Sequence, residues 1–306
     1  MIANVRERSN LFWIFATLYA QTAWGAYPVL VRYLQTVTHL PSMSLMSLGS
    51  LLALVVVGVM YLPRMDWQAF KSRKLLFFVI IVVARGTTNI LAARFTLATY
   101  VQLITLLTPF LVALLSTAVL REELPRYTLQ AMGLSVFGAL LLMGDSLMGP
   151  NNFPGAHRTD WLGISLALGG SLLLAIYMVM IRSSVREQIR GEALLTVQLF
   201  SLGVATGLFS IVAGEDWSPW RSMRPFDWLI FGAVVLGVFV GANLSQIGAI
   251  RRLSASVVSS TMPWRLVSTL VLAALLLDER LTTFWQALGV IIVLVTVTWY
   301  LWRQRA

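Results

Sequence analysis

The sequence predicts an all-α integral membrane protein with ten transmembrane helices arranged as two inverted five-helix repeats. Its composition indicates a membrane protein, because 58% of the residues are hydrophobic and only 12% are charged, unlike a soluble domain. Ten apolar segments each approach the roughly 20 residues that a helix needs to cross the bilayer. These segments are continuously apolar rather than alternating, which indicates helices and not barrel strands. The predicted spans are residues 11–31, 44–62, 75–93, 97–119, 127–146, 161–181, 193–213, 227–247, 253–276 and 283–302.

The two halves of the chain repeat one sequence pattern. Residues 24–32 read WGAYPVLVR and residues 174–182 read LAIYMVMIR, so that Tyr27 recurs 150 residues later as Tyr177. Because each half has an odd number of spans, the second copy enters the membrane from the opposite side. Two inverted halves around a site near the midplane are typical of alternating-access transporters. The predicted organisation is a first repeat at 1–146, an external linker at 147–160 and a second repeat at 161–306.

The net charge of +10 follows the predicted topology. With the N-terminus inside, 15 of the 23 Lys and Arg residues lie on the inner side and six on the outer side. This asymmetry is the positive-inside rule, and it predicts that both termini are cytoplasmic. The basic excess therefore gives no reason to expect a nucleic-acid partner. The absence of cysteine excludes disulfides, thiolate metal ligands and a cysteine nucleophile.

Two arginines, Arg85 and Arg265, are predicted near the centre of the membrane, within the third and ninth spans. All 13 acidic residues fall in predicted loops or at span ends, so no intramembrane carboxylate neutralises these charges. An arginine stays protonated and costs about 2.5–3.5 kcal/mol at the centre of a transmembrane helix. Two interpretations remain open. In the first, the arginines line an aqueous cavity and bind an anionic substrate group. In the second, they are structural and either bond helix carbonyls freed beside Pro109 and Pro263 or brace helices.

Polar side chains form stripes at helical spacing on the third, fourth, eighth and ninth spans, which correspond across the repeat. Aromatic side chains add to the first and sixth spans. The expected substrate-binding residues are Arg85, Thr88, Asn89, Gln102, Thr105, Asn243, Gln246, Thr261, Arg265, Trp24, Tyr27 and Tyr177. Each has an ordinary alternative, because Thr often bonds its own helix, Asn and Gln often join neighbouring helices, and aromatic residues often only pack. Prolines inside three spans, Pro28, Pro109 and Pro263, predict bends there.

Several motifs recur in register in the two halves. The first span carries Trp24-Gly25-x-x-Pro28, and the sixth carries Ala175-x-Tyr177-x-Val179-x-x-Arg182. Each half ends with a proline-bearing helix, an acidic turn and a Gln-x-x-Gly span, formed by Pro109, Glu122, Gln130 and Gly133, and by Pro263, Glu279, Gln286 and Gly289. Over essentially the whole chain, this pattern resembles the EamA-type permeases of the drug/metabolite transporter superfamily. The resemblance implies a cavity lined by spans one, three, four, six, eight and nine, with spans five and ten at the periphery.

The resemblance also implies export or exchange of amino acids, related metabolites or drugs, and a location in the bacterial inner (plasma) membrane. One position departs from the family pattern. Arg265 stands beside Leu266, where this family often has a Glu-Pro pair, so the local charge is reversed. This reversal favours a substrate with a negative group.

The expected function is therefore secondary export or exchange, by alternating access, of a small polar metabolite with an anionic group, such as an amino acid or an organic or phosphorylated anion. The alternative is multidrug or lipophilic-compound efflux, which for cations ordinarily uses a membrane-embedded carboxylate. A non-transport membrane enzyme or receptor is expected less, since no clustered catalytic groups are evident. No catalytic residue, cofactor or metal is expected. The expected partners are a small-molecule substrate and the lipid bilayer, with a homodimer left open.

Overall fold

The computed structural model describes residues 2–61, 73–120, 126–148, 160–186, 190–252, 261–281 and 283–303, and these residues form a helical bundle. Its α-helices are α1 (Ile2–Thr36), α2 (Ser42–Tyr61), α3 (Arg73–Phe95), α4 (Ala98–Thr105), α5 (Thr108–Leu120), α6 (Thr128–Met148), α7 (Asp160–Arg186), α8 (Gly191–Val212), α9 (Pro225–Gly232), α10 (Asn243–Arg252), α11 (Pro263–Leu276) and α12 (Phe284–Arg303). A 3₁₀ helix covers Ser218–Ser222, and a π-helix covers Ala233–Ala242 between α9 and α10.

Six helical stretches among the described residues are long and apolar enough to cross a membrane. Shorter apolar helices cover Thr128–Leu142, Pro263–Leu276 and Phe284–Tyr300. The chain is therefore an all-helical membrane protein, and the number of ten spans stays a prediction. The start of the predicted ninth span, the acidic turn after α5 and most of the predicted linker lie outside the described residues.

The predicted fourth and eighth spans are interrupted in the structure. The fourth consists of α4 and α5, and the helix is broken at Leu106 and Leu107. Pro109 then occupies the first turn of α5, where the missing N–H has no intrahelical acceptor to lose. By contrast, α1 runs as one helix through Pro28. The eighth span changes from α9 to the π-helix and back to α10, and such wide turns often occur at functional sites.

The main helix packing joins the two halves of the chain. Helix α2 packs on α8, α3 on α7, α6 on α12, and α1 on α11 and α10. In a repeat of five spans, each span of the first half corresponds to the span five places later. The contact between spans three and six therefore corresponds to the contact between spans eight and one. In the same way, the contact between spans four and six corresponds to the contact between spans nine and one. The bundle is thus paired in the way that an internal repeat predicts.

Helices α6 and α12 approach each other through glycine. A Cβ atom added at Gly289 would lie 2.5 Å from the Gly138 carbonyl oxygen and 2.8 Å from the Leu142 nitrogen. Small residues of this kind let helix backbones pack closely in membranes. The hydroxyl groups of Thr128 and Tyr300 also form a hydrogen bond of 2.9 Å across this contact. Both helices make only minor contacts with the other described helices, so this pair lies at the periphery of the bundle.

Polar contacts hold the C-terminal end of α1 in place. The Tyr33 hydroxyl donates to Asp227 Oδ1 at 3.0 Å, and Arg224 Nε donates to the other oxygen of the same carboxylate at 3.2 Å. Nearby, Glu215 accepts hydrogen bonds from the backbone N–H groups of Met43 and the next residue, at the start of α2. The first set of contacts joins α1 to α9, and the second joins α2 to the segment that follows α8.

Candidate substrate-binding site

The two halves of the bundle enclose a cavity with a volume of about 100 Å³. Helices α1 to α5 of the first half and α7, α8, the π-helix, α10 and α11 of the second half line its wall. Ten of the twelve residues expected from the sequence lie on this wall. They are Trp24, Tyr27, Arg85, Asn89, Gln102, Thr105, Tyr177, Asn243, Gln246 and Arg265. The polar stripes on separate spans therefore face one common space.

Two of the expected residues, Thr88 and Thr261, do not line this cavity, and their predicted placement is corrected. The Thr88 hydroxyl donates to the carbonyl oxygens of Ala84 at 2.8 Å and Arg85 at 3.0 Å, so its own helix satisfies it. A Cβ atom at Gly170 would lie 3.4 Å from Thr88 Oγ1, which shows that this side chain faces α7. Thr261 lies in the turn before α11. Sharing a helix face with a cavity residue is therefore not enough to reach the cavity.

Helices α2 and α8 contribute cavity residues that sequence reasoning missed, among them Ser50 and Gln198. Gln198 is only 3% exposed, and its Oε1 accepts a hydrogen bond of 2.7 Å from the Tyr177 hydroxyl. The one sequence signal is a single amide within an apolar run, which helix packing explains equally well. The cavity wall thus includes the second and seventh spans as well as the six that the family resemblance implies.

Arg265 is held by amide oxygens at the start of α11. Its side chain is 4% exposed, its Nε donates to Gln21 Oε1, and its Nη2 donates to Gln246 Oε1 at 3.4 Å. Amide oxygens satisfy N–H groups but carry no net charge. The bond to Gln21 joins α11 to α1, so Arg265 has a bracing contact as well as a place on the cavity wall.

Close packing of α1 on α11 positions Arg265. A Cβ atom at Gly25 would touch the carbonyl oxygen of Arg265, so glycine is required for this approach. The Thr269 hydroxyl donates to the Gly25 carbonyl oxygen at 2.6 Å, and the Ser268 hydroxyl donates to the Thr22 carbonyl oxygen at 3.0 Å. Each hydroxyl crosses from α11 to α1. The Trp24-Gly25 motif therefore serves helix packing directly beside the arginine.

Arg85 lies against aromatic rings on the other side of the cavity. Its guanidinium carbon is 4.2 Å from the centroid of the Tyr177 ring and 5.9 Å from that of Trp24. Phe78, two turns earlier on α3, stacks on the same Tyr177 ring at 5.6 Å. A guanidinium group over a ring face gains cation–π attraction. This contact leaves its N–H groups without an acceptor among the described residues.

Trp24 lies close to both arginines. The guanidinium carbon of Arg265 is 5.8 Å from the centroid of the Trp24 ring, and that of Arg85 is 5.9 Å from the same centroid. The distance between the guanidinium carbons of Arg85 and Arg265 therefore cannot exceed the sum of these two distances. No acidic residue lines the cavity, and the described residues form no ion pair with either arginine. Among the described residues, the cavity thus combines two positive charges with no carboxylate.

Four further polar atoms in the cavity wall are buried without a hydrogen-bond partner among the described residues. They are Trp24 Nε1, Ser50 Oγ, Asn89 Oδ1 and Gln102 Nε2. Buried polar groups in proteins are almost always paired, with protein or with another molecule. These atoms therefore offer a ligand two donors, one acceptor and one hydroxyl that can donate or accept.

One end of the cavity is closed by apolar packing. Val29, Ala98 and Ala273 form a fully buried cluster, and a second pocket beyond it is lined by residues that include Arg32 and Glu279. Along each of α1, α4 and α11, a cavity residue, a cluster residue and a second-pocket residue follow in the same spatial order. A thin apolar layer therefore separates the two pockets.

The arrangement of two structurally paired halves around a charged central cavity defines the protein as a membrane transporter. The chain belongs to the EamA-like transporter family, whose model matches residues 11–144 and again residues 161–302. It is thus an EamA-type permease of the drug/metabolite transporter superfamily, which confirms the resemblance seen in its motifs.

Comparison with solved structures supports the same fold. One structure, described only as "Crystal structure of protein", matches with a TM-score of 0.65 over 96% of this chain and 99% of the other, at 16% sequence identity. At that identity the match concerns the fold alone. Comparison with curated proteins finds no match.

Proposed function

We propose that this permease is a secondary transporter that exports or exchanges a small polar metabolite with an anionic group, by alternating access between its two halves. The observation that carries this proposal is the pair of arginines in a cavity whose described lining residues include no carboxylate. Arginine cannot lose its proton to relieve burial. An anionic group that binds both guanidinium groups would compensate their charge with strong, directional hydrogen bonds.

The cavity size also favours a small metabolite. Its volume of about 100 Å³ is below the roughly 300–1,000 Å³ of pockets that bind drug-sized ligands. Amide side chains around the wall, among them Asn89, Gln198 and Asn243, can donate and accept hydrogen bonds. A polar molecule such as an amino acid or an organic or phosphorylated anion fits this lining.

Efflux of lipophilic cations is the second candidate, and the aromatic wall of Trp24, Tyr27, Tyr177 and Phe239 favours it. Cation recognition by such a wall uses open ring faces. Here, arginine side chains already lie over Trp24 and Tyr177. A second cation would add to the repulsion, so this alternative receives less support.

An enzymatic role is not proposed, because the family to which the chain belongs is one of transporters. The proposed orientation places both termini in the cytoplasm and the protein in the bacterial inner membrane. The asymmetric distribution of Lys and Arg supports this orientation.

The test is transport by purified protein in liposomes. Labelled glutamate, succinate, glycerol 3-phosphate and tetraphenylphosphonium would be offered to vesicles preloaded with the same unlabelled compounds. We expect exchange of at least one anion, and loss of this exchange in Arg85→Gln and Arg265→Gln. Robust movement of tetraphenylphosphonium that survives both substitutions would overturn the proposal in favour of cation efflux.

A further inference from the structure

We propose that the ligand of the central cavity carries two negative charges. This inference rests on the proposed transport function and narrows its substrate class. Its basis is that Arg85 and Arg265, one from each half, lie within 5.9 Å and 5.8 Å of the centre of one ring, that of Trp24, and line the same cavity.

Charge balance is the first argument. The described residues of the cavity wall carry two permanent positive charges and no acidic side chain. A bound monoanion leaves one guanidinium charge uncompensated inside the helix bundle, where an unpaired charge is costly. A dianion compensates both charges and also removes their mutual repulsion.

The hydrogen-bonding capacity of the wall is the second argument. Arg85 has no acceptor among the described residues, and Arg265 uses Nε and Nη2 on amides, so its Nη1 donors remain. Trp24 Nε1 and Gln102 Nε2 are buried donors without partners. Arginine carries five donors and no acceptor, whereas each carboxylate accepts about four hydrogen bonds. The wall therefore fits a ligand rich in acceptor oxygens.

The unpaired acceptor in the wall, Asn89 Oδ1, adds a further feature. A ligand hydroxyl or amine would donate to it. The two negative charges themselves can come from one phosphate monoester or from two carboxylates, since both present several acceptor oxygens to guanidinium groups. The experiment separates these two sources.

Binding of matched ligand pairs tests the inference without any substitution. Succinate would be compared with succinamate, and glycerol 3-phosphate with its phosphate methyl ester, by calorimetry on the purified protein above neutral pH. The first pair keeps the size and removes one charge, and the second removes one charge and adds a methyl group. We expect the dianion of at least one pair to bind about ten- to one-hundred-fold more tightly, the range for a hydrogen bond to a charged group. The pair that shows this preference identifies the source of the charges.

Variants of the arginines test the same inference independently. Arg85→Gln and Arg265→Gln should each reduce the preference to near unity, because a single guanidinium group is satisfied by a monoanion. Arg280→Gln is the matched control, since it removes the same charge from a side chain that is 72% exposed and lies outside the cavity. The control should keep the wild-type preference.

The results separate the two proposals. Equal affinity of the wild-type protein for the monoanion and the dianion of both pairs would overturn the dianion inference. Anion exchange in liposomes would then still support the proposed function. If none of the four ligands bound and liposomes moved only tetraphenylphosphonium, the proposed function would fail, and the dianion inference with it.

Discussion

Arg32 Nε lies 2.8 Å from Glu279 Oε1, and this ion pair ties the end of α1 to the connection between α11 and α12. Arg32 Nη1 also donates to the carbonyl oxygen of Thr96, and the Glu279 carboxylate lies beside the backbone N–H groups of Ala98 and Thr99. The pair therefore joins α1, the start of α4 and the end of α11 on the far side of the apolar cluster from the cavity. Separation of these helices at this end requires the pair to break.

The ion pair predicts a specific dependence of stability on pH. Burial raises the pKa of Glu279 above its ordinary value, against the opposing effects of the Arg32 charge and of the nearby backbone N–H groups of Ala98 and Thr99. The stability contributed by such a group is fully present below its pKa in the unfolded chain and is lost as pH rises through its folded pKa. We expect the Tm of the wild type relative to Glu279→Gln to fall as pH rises from acidic to neutral.

Thermal unfolding in one detergent across this pH range provides the measurement. Asp278→Asn controls for the loss of one negative charge, since its side chain is exposed at the adjacent position. A relative Tm that instead rises with pH would show that the charge of Arg32 outweighs burial.

The two cavity arginines should differ when no ligand is bound. Arg85→Gln should leave the Tm of the ligand-free protein unchanged or raise it, because Arg85 has no hydrogen-bond acceptor among the described residues. Arg265→Gln should lower stability by about 1–3 kcal/mol, since the bonds to Gln21 and Gln246 are lost from a buried position. Both variants should bind a dianionic ligand more weakly than the wild type, measured by the ligand-induced shift in Tm.

Arg280→Gln is again the matched control. If both variants were destabilised without ligand yet retained wild-type affinity, the arginines would be braces and the cavity would not be their binding site.

Gly25 is predicted to be intolerant of a side chain. Gly25→Ala would place a methyl group against the Arg265 carbonyl oxygen, and such overpacking typically costs about 1–3 kcal/mol. Gly169→Ala in α7 is the control, since nothing lies within 4 Å of an added Cβ there. In a helix interior, that change should stabilise the protein by about 0.5–1 kcal/mol. Thermal unfolding should give a lower Tm than wild type for Gly25→Ala and a higher Tm for Gly169→Ala. A higher Tm for Gly25→Ala would contradict the close α1–α11 contact.

Membrane orientation can be tested with single cysteines, because the chain has none of its own. Ser218 lies on the predicted outer side and Arg126 on the predicted inner side. A membrane-impermeant maleimide added to intact cells should label Ser218→Cys and leave Arg126→Cys unlabelled until the membrane is opened. Labelling of both positions in intact cells would contradict the inverted arrangement of the two repeats.

The sequence predicted most of the polar side chains in the cavity wall, because charge in an apolar span is a strong signal. Arg85 and Arg265 are the only charged residues of their predicted spans, and each lies near the middle of its span. Gln198 carried no comparable signal, since one amide in a span is as easily a packing residue. Thr88 was misplaced because the side chain of a threonine can turn to its own helix carbonyls, which spacing alone does not show.

Helix irregularities were predicted only where proline causes them. The break before Pro109 follows from its missing N–H, and its position at the first turn of α5 agrees with that cause. The π-helix at Ala233–Ala242 lies in a run of small and branched apolar residues. Such a run fits an ordinary α-helix equally well, so tertiary contacts decide the geometry. One of them is the bond from the Tyr19 hydroxyl to the Gly237 carbonyl oxygen at 3.0 Å.

The packing of each early helix on a late one has a consequence for biosynthesis. The Ser47 hydroxyl in α2, for example, donates to the carbonyl oxygen of Gly203 in α8, which is translated 156 residues later. The helices of the first half are therefore synthesised before their partners in the second half exist, and polar groups such as the Ser47 hydroxyl lack their final acceptor until then. The first half alone is expected to be unstable. Two fragments divided within 149–159 should accumulate when co-expressed, and each alone should be degraded.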